Sequence, residues 1–230
     1  MAADIKAKRI GILLPSSNSV LEPLAAKTIT EPDTTFHFSR LGVIDITLTP
    51  KSLDQFTLET QCSAGKLLCD ADVDCVVWGG TSASWLGIQH DIDFCASFTK
   101  KTGVLAGSCV LEMNRTVASM GARRIAMVTP YTDDVHNRIL DNYEELGFPR
   151  PTGQNLGGTL SNDFASISPN TIEDMVWNVA KDSPDVIMIM CTNLRGAGVA
   201  ENLSKQLGLP VLDSAVATLQ AGSRLISGSS

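Results

Sequence analysis

The 230-residue sequence has no run of lysine or arginine and no long apolar segment. Its net charge of −7 and the lack of a basic run argue against a nucleic-acid groove and against an anionic membrane surface as partners. The first apolar run, Ile10–Leu14, is too short for a signal peptide or a membrane span. We therefore expect a cytoplasmic protein that acts on a small molecule. The sequence leaves the oligomeric state open.

Signatures of cofactor and metal binding are also missing. The three histidines, His37, His90 and His136, are scattered singly, and no pair of the six cysteines has Cys-x-x-Cys spacing. A structural zinc site is therefore not expected, and most of the cysteines are read as buried free thiols. The sequence has no Gly-x-Gly-x-x-Gly fingerprint, Walker loop or cofactor-lysine motif, so we assign no metal and no cofactor.

Short apolar runs alternate along the chain with longer amphipathic segments, which predicts an α/β fold with mostly parallel sheets. The predicted strands are Arg9–Leu14, Thr35–Leu41, Asp74–Trp78, Val104–Ala106, Arg124–Thr129, Asp185–Met190 and Pro210–Leu212. The predicted helices are Val20–Ile29, Ser52–Cys69, Ile88–Lys101, Leu111–Met120, Asp133–Leu146, Thr171–Lys181, Gly198–Leu207 and Ala215–Ile226.

The chain repeats itself, with three matches that keep their order in each half. Arg9–Pro15 matches Arg124–Pro130, Asp74–Ser82 matches Asp185–Asn193, and Val104–Ser108 matches Val211–Ser214. We predict two pseudo-symmetric halves, residues 1–113 with 214–230 and residues 114–213, each with a four-stranded sheet flanked by helices. Ligands bind beyond the carboxyl ends of parallel strands, so the active site is expected in the cleft between the halves.

Cys191 is the leading candidate for chemistry. It follows a run of five apolar residues and precedes Thr-Asn-Leu-Arg-Gly, which places its thiol near the expected start of a helix. Backbone N–H groups there would stabilise a thiolate or a bound carboxylate, although a strand-end core cysteine is an equally good reading. The matching positions, Gly80-Thr81-Ser82, offer a carboxylate cradle of hydroxyl and backbone donors, or simple helix capping.

These motifs resemble a known superfamily over nearly the whole chain. The segments that carry the resemblance are Pro15-Ser-Ser-Asn18, Trp78-Gly-Gly-Thr-Ser82, Pro130-Tyr131 followed by Asp133-Asp134-Val135, and Cys191-Thr-Asn-Leu-Arg195. Together they are similar to the maleate isomerase and arylmalonate decarboxylase branch of the aspartate/glutamate racemase superfamily. The resemblance implies an enzyme that does proton chemistry on a small carboxylic acid, with Cys191 as the central acid or base.

Typical members of the superfamily carry two facing cysteines, but here the first position is Gly80. Arylmalonate decarboxylase has the same pattern, and one acid is sufficient to protonate the enediolate left by loss of CO₂. The resemblance therefore favours a malonate-type decarboxylase. A maleate isomerase or racemase relative and a non-catalytic carboxylate-binding protein are the alternatives. The residues that it implies around the substrate are Pro15, Asn18, Leu41, Val43, Gly80, Thr81, Ser82, Tyr131, Asn162 and Thr192.

Overall fold

The computed structural model describes residues 7–28 and 33–228. It contains two four-stranded sheets, and helices cover each of them. The first part of the chain contains β1 (Lys8–Pro15), α1 (Leu21–Thr28), β2 (Thr34–Leu41), α2 (Pro50–Leu53), α3 (Leu58–Cys69), β3 (Cys75–Trp78), α4 (Ala83–Leu86), α5 (Ile88–Thr102) and β4 (Leu105–Ser108). The second part contains α6 (Cys109–Ser119), β5 (Ile125–Tyr131), α7 (Asp133–Glu145), β6 (Thr152–Gly158), α8 (Pro169–Ala180), β7 (Val186–Ile189), α9 (Ala197–Leu207), β8 (Val211–Asp213) and α10 (Ser214–Ser227).

The two sheets have the same topology, with strand orders β2-β1-β3-β4 and β6-β5-β7-β8. The ladders between these strands are parallel. Strands β3 and β7 are buried throughout, because helices cover both faces of each sheet and every side chain meets apolar neighbours. The predicted fold class is confirmed.

The internal repeat corresponds to matching contacts in the two halves. The backbone N–H of Arg9 donates to Asp74 Oδ2 at 2.8 Å, and that of Arg124 donates to Asp185 Oδ2 at 2.8 Å. Each aspartate thus fixes the start of a central strand to its neighbour. Gly80 and Cys191 therefore occupy equivalent positions, two residues beyond the ends of β3 and β7.

The third match of the repeat needs a shift of one residue. Trp78 pairs with Ser108 in the first sheet, and Ile189 pairs with Asp213 in the second. Ser108 is thus equivalent to Asp213, whereas the sequence match paired it with Ser214. Both residues cap helices: the Ser108 hydroxyl accepts from an N–H of α6, and the Asp213 carboxylate accepts from an N–H of α10.

Strand β6, the short helix α4 and the helix predicted at 52–69 differ from the sequence predictions. Strand β6 was not predicted, because its sequence Thr-Gly-Gln-Asn-Leu-Gly-Gly is polar and glycine-rich and it lies at the exposed edge of its sheet. The single predicted helix 52–69 is broken into α2, a 3-10 turn at Asp54–Phe56 and α3, which is capped by Thr57 and starts at Leu58. The predicted end of the first helix, Ile29, lies outside the described residues.

Helix α10 packs against β1, β3 and β4 of the first sheet and against α6. These contacts support the predicted return of the chain to the first half after residue 213. The division into residues 1–113 with 214–230 and residues 114–213 stays a prediction. Among the helices of the described ranges, none is long and apolar enough to cross a membrane.

Candidate active site

The carboxyl ends of the central strands of both sheets border one small cavity. Its polar and thiol-bearing lining residues are Asn18, Thr81, Tyr131, Ser161, Cys191, Thr192 and Asn193. The remainder of its wall comes from Pro15, Val43, Ile46, Phe56, Trp78, Gly80 and Phe164. The cavity volume is about 20 Å³, which is room for roughly one water molecule. A substrate therefore needs side chains to move apart when it enters.

Cys191 lies beyond the end of β7, and only 4% of its surface is exposed. Its backbone N–H donates to the Ser214 hydroxyl at 3.1 Å, which ties it to the start of α10. Burial raises the pKa of the Cys191 thiol to about 11, and hydrogen bonds from Tyr131 and from the backbone of Asn193 and Leu194 oppose the rise. The thiol is therefore protonated at neutral pH.

The backbone donors around this thiol belong to a turn. Helix α9 begins at Ala197, one residue before its predicted start, and Cys191 lies six residues ahead of it, so the amides nearest the thiol are those of the turn. Gly196 precedes the helix, and a Cβ atom there would lie 2.4 Å from Asp213 Oδ2 and 2.9 Å from Ile189 Cγ2. The turn over residues 191–196 thus packs directly onto β7 and β8, and its amides take the place of the helix amides.

Tyr131 and Thr81 join the two halves at the cavity. The Tyr131 hydroxyl lies 2.7 Å from the Thr81 hydroxyl and also hydrogen-bonds the Cys191 thiol. Burial raises the pKa of Tyr131 well above its usual value, so the phenol stays neutral and can donate. The Tyr131 ring meets Trp85 and Phe164 edge-on, with centroids 5.2 and 5.6 Å away, and this packing fixes its direction.

Asn18 and Thr192 form a second link across the cleft. The Asn18 Nδ2 donates to the Thr192 hydroxyl at 3.1 Å, and that hydroxyl donates to the Gly79 carbonyl at 2.8 Å. The Asn18 Oδ1 accepts from the backbone N–H of Val20 and of Leu21, so it caps the start of α1. Both predicted binding residues line the cavity, and both also hold the halves together.

Asn193 connects the cavity to two loops. Its Oδ1 accepts from the Ser19 backbone N–H at 2.9 Å, and its Nδ2 donates to the Ser161 carbonyl at 2.6 Å. The loop that carries Ser161 pairs in turn with the first half, through an antiparallel bridge between Asp45 and Leu160. Asn193 thereby closes one side of the cavity.

The structure brings most of the predicted site residues together and leaves three of them elsewhere. Pro15, Asn18, Val43, Gly80, Thr81, Tyr131, Cys191 and Thr192 line the cavity, and Leu41, Ser82 and Asn162 do not. Leu41 packs into the main hydrophobic core at the end of β2. Ser82 is fully buried, and its hydroxyl accepts a hydrogen bond from Trp78 Nε1 at 3.1 Å. Asn162 is exposed, while its neighbour Ser161 faces the cavity.

Several lining residues were not predicted from the sequence, namely Ile46, Phe56, Ser161, Phe164 and Asn193. Phe56 lies in the 3-10 turn where a continuous helix was predicted, and Phe164 lies in another short 3-10 turn, so helical periodicity gave no signal for either. Asn193 could have been found, because it directly follows Cys191-Thr192 in the motif. Trp78, which opens the first-half motif, also lines the cavity.

A buried carboxyl lies behind Cys191, on the neighbouring strand β8. Asp213 is 4% exposed; its Oδ1 accepts from the Val216 N–H, and its Oδ2 is buried without a hydrogen-bond partner among the described residues. Burial raises the pKa of this carboxyl to about 7, against the hydrogen bonds from the backbone of Val216 and Ala215. When ionised, its charge disfavours a thiolate at Cys191.

Two repeated parallel sheets with a thiol at the carboxyl end of one central strand define an α/β protein of the aspartate/glutamate racemase superfamily, in the branch of arylmalonate decarboxylase and maleate isomerase. The arylmalonate decarboxylase family profile matches residues 10–229, and the chain belongs to this family.

Relatives carry both activities. The chain is 26% identical to an arylmalonate decarboxylase of Bordetella bronchiseptica, over 95% of this chain and 90% of the relative. It is 25% identical to a maleate isomerase of Geobacillus stearothermophilus, over 92% of this chain and 88% of the relative.

Solved structures of both kinds share the fold. A liganded double mutant of arylmalonate decarboxylase superposes with a TM-score of 0.85 at 24% identity, covering 97% of this chain and 94% of the other. A Nocardia farcinica maleate cis-trans isomerase mutant with a covalently bound succinylcysteine intermediate superposes with a TM-score of 0.81 at 20% identity, covering 97% of this chain and 100% of the other.

Proposed function

We propose that this protein is a cofactor-independent decarboxylase of an aryl- or alkyl-substituted malonate, in which Cys191 alone protonates the enediolate intermediate. The observation that carries the proposal is the inequality of two equivalent positions. The second half presents a thiol to the cavity at Cys191, and the first half presents Gly80. A reaction that needs one proton donor on one face of the substrate fits this arrangement.

The state of the thiol supports the same chemistry. With a pKa of about 11, Cys191 carries its proton at neutral pH and can act as a general acid. Cleavage of one carboxylate releases CO₂ and leaves the bonding electron pair in an enediolate. The Cys191 Sγ–H then donates its proton to the α-carbon, and the resulting thiolate regains a proton from solvent before the next turnover.

Neutral donors around the cavity suit the retained carboxylate. The hydroxyls of Thr81 and Tyr131 lie 2.7 Å apart, and both residues line the cavity. Charge-assisted hydrogen bonds from such groups are worth about 1.5–3 kcal/mol each, and they strengthen as charge develops in the enediolate. The apolar wall of Val43, Ile46 and Phe56 would desolvate the departing carboxylate.

A second candidate function is maleate cis-trans isomerisation. The asparagines at the cavity, Asn18 and Asn193, favour it, because amide donors suit a dicarboxylate. Two observations weigh against it. Covalent attack on maleate needs a thiolate, whereas burial keeps Cys191 protonated. An isomerase or racemase that relies on a thiol from the first half would also find only Gly80 there.

The proposal is tested by turnover of a panel of acids. The purified protein is incubated with methylmalonate, phenylmalonate, a prochiral disubstituted malonate and maleate, and CO₂ and fumarate are measured. We expect CO₂ from at least one malonate. In D₂O we expect one enantiomer in excess, carrying deuterium at the α-carbon, because the proton comes from one face.

Two cysteine variants sharpen this test. Cys191→Ser should abolish CO₂ release, and Cys62→Ser, which changes a buried thiol on α3 away from the cavity, should retain it. Fumarate from maleate without CO₂ from any malonate would favour the isomerase. Thermal stabilisation by malonates without any product would favour a carboxylate-binding protein. Racemic product from the unmodified protein would contradict the single donor.

A further inference from the structure

The indole of Trp78 lies where a side chain at position 80 would have to go. Trp78 is the last residue of β3, is fully buried and lines the cavity. A Cβ atom built on Gly80 would lie 2.3 Å from Cζ2 and 2.6 Å from Cε2 of the indole. Cβ atoms in proteins essentially never come closer than 3.0 Å to a heavy atom outside their own and the adjacent residues. The indole and a side chain at position 80 therefore exclude each other.

Trp78 is held in this place by its surroundings. Its Nε1 donates to the Ser82 hydroxyl at 3.1 Å, and both residues are fully buried, so turning the ring would leave buried polar groups unpaired. The backbone has little room to shift, because a Cβ atom on Gly79 would lie 2.9 Å from Leu21 Cδ1. The hydrogen bond and the close packing therefore hold the indole in this position.

In the second half, the residue at the end of the central strand is smaller than Trp78, and the residue two positions later is larger than Gly80. Ile189 stands where the first half has Trp78, and Cys191 stands where it has Gly80. A medium-sized strand-end side chain leaves space for a thiol two residues later, and an indole removes that space. One half thus supplies the reactive group, and the other supplies a flat apolar wall.

We propose that Trp78 is the specificity-determining residue of this site, and that its indole restricts the cavity to malonates with a small alkyl substituent. This inference rests on the proposed function for the position of the substrate. The indole already fills the space beside Gly80 on the first face of the cavity, so a bulky substituent cannot lie on that face while the ring is in place. Shortening Trp78 should open the first face and admit larger substituents.

The test compares kcat/KM for methylmalonate and phenylmalonate in the unmodified protein, Trp78→Phe and Trp78→Leu. We expect the unmodified protein to prefer methylmalonate, and Trp78→Leu to shift the ratio towards phenylmalonate by about tenfold or more. Trp78→Phe should shift it in the same direction by less. Trp177→Phe is the control, since Trp177 lies half-exposed on α8 and does not line the cavity. An unchanged ratio in both Trp78 variants would overturn the inference.

A stability measurement tests the steric exclusion without any substrate. Gly80→Ala should lower the thermal midpoint markedly in the unmodified background and much less in the Trp78→Leu background, because the smaller side chain leaves room for the added methyl group. An equal loss in both backgrounds would show that the indole does not occupy the space at position 80. That result would also overturn the inference.

Binding of product analogues separates failure of the inference from failure of the proposed function. Calorimetric affinities for propionate and phenylacetate are measured for the unmodified protein and for Trp78→Leu. A shift towards phenylacetate in Trp78→Leu supports the inference even if no malonate releases CO₂, in which case only the decarboxylase proposal fails. Carboxylate binding with unchanged selectivity overturns the inference alone. Absence of binding and of turnover overturns both.

Discussion

Replacing Asp213 by asparagine should remove much of the pH dependence of the folding stability. Asp213 is almost completely buried, its Oδ2 has no hydrogen-bond partner among the described residues, and burial raises its pKa from 3.8 to about 7. In the folded protein the carboxyl therefore keeps its proton over a pH range in which the unfolded chain has lost it. Asparagine matches the neutral carboxyl in shape and can keep accepting from the Val216 N–H.

The sign and the magnitude follow from proton binding. Between pH 3.8 and about 7 the folded state holds one more proton than the unfolded state, so the free energy of unfolding falls as the pH rises. This window spans about 3 pH units, and at about 1.4 kcal/mol per unit the loss reaches about 4 kcal/mol by pH 8. Asp213→Asn lacks this loss and should gain stability relative to the unmodified protein over that range.

The assay is urea unfolding at several pH values between 4 and 8, followed by fluorescence. The difference between Asp213→Asn and the unmodified protein should grow by about 4 kcal/mol from pH 4 to pH 8. Any loss of stability from placing an amide beside Gly196 is independent of pH. It therefore does not change how the difference in free energy of unfolding varies with pH. Asp185→Asn is the control. Hydrogen bonds from the backbone of Arg124 and Arg123 lower the pKa of Asp185 to about 2. Removing this carboxylate should therefore change the pH dependence of the free energy of unfolding only in acid.

The same substitution should act on the reactive thiol. Ionised Asp213 raises the pKa of Cys191, so Asp213→Asn should lower the pH at which Cys191 becomes reactive towards iodoacetamide. Parallel stability curves for the two proteins, together with an unchanged alkylation profile, would refute the reasoning. They would mean that Asp213 is ionised in the folded protein at low pH.

Three further substitutions test the site. Cys191→Ser should lower CO₂ release about 1,000-fold or more, because a serine hydroxyl is a far weaker acid than a thiol, and retained activity would exclude Cys191 as the donor. Tyr131→Phe should lower kcat/KM by about 10- to 100-fold by removing the donor that meets Thr81 and Cys191, and unaltered kinetics would place the carboxylate elsewhere. Asn193→Ala should reduce the free energy of unfolding, measured with urea, by about 2–3 kcal/mol, because it removes the hydrogen bond that holds the Ser161 loop. An unchanged midpoint would contradict this role of Asn193.

Much of the architecture could be predicted from patterns along the chain. The apolar runs of β1, β3, β5 and β7 are distinct because these strands are buried on both faces and accept only apolar side chains. Strand β6 escaped prediction because an edge strand of polar and glycine residues has no such pattern. The helix break that carries Phe56 into the site also has no periodic signal, since α2 and α3 each continue an amphipathic pattern.

The candidate site divides in a similar way. The internal repeat identified Gly80 and Cys191 as equivalent positions, and motif residues next to them, such as Thr81 and Thr192, do line the cavity. Ser82 and Asn162 were also expected at the cavity. Side chains on consecutive residues point in different directions, and here Ser82 points to Trp78 and Asn162 to solvent. Position along a motif does not determine which side chain faces a ligand.

By itself, the sequence determined that two repeated α/β halves would form parallel sheets and that one half would present a thiol where the other has glycine, because burial patterns and residue identities are local properties of the chain. Only the tertiary structure decided that the Trp78 indole occupies the space above Gly80, that Tyr131 bridges Thr81 and Cys191, and that Asp213 lies buried behind the thiol. The last two relations join residues distant in sequence, and all three depend on how side chains share one small volume.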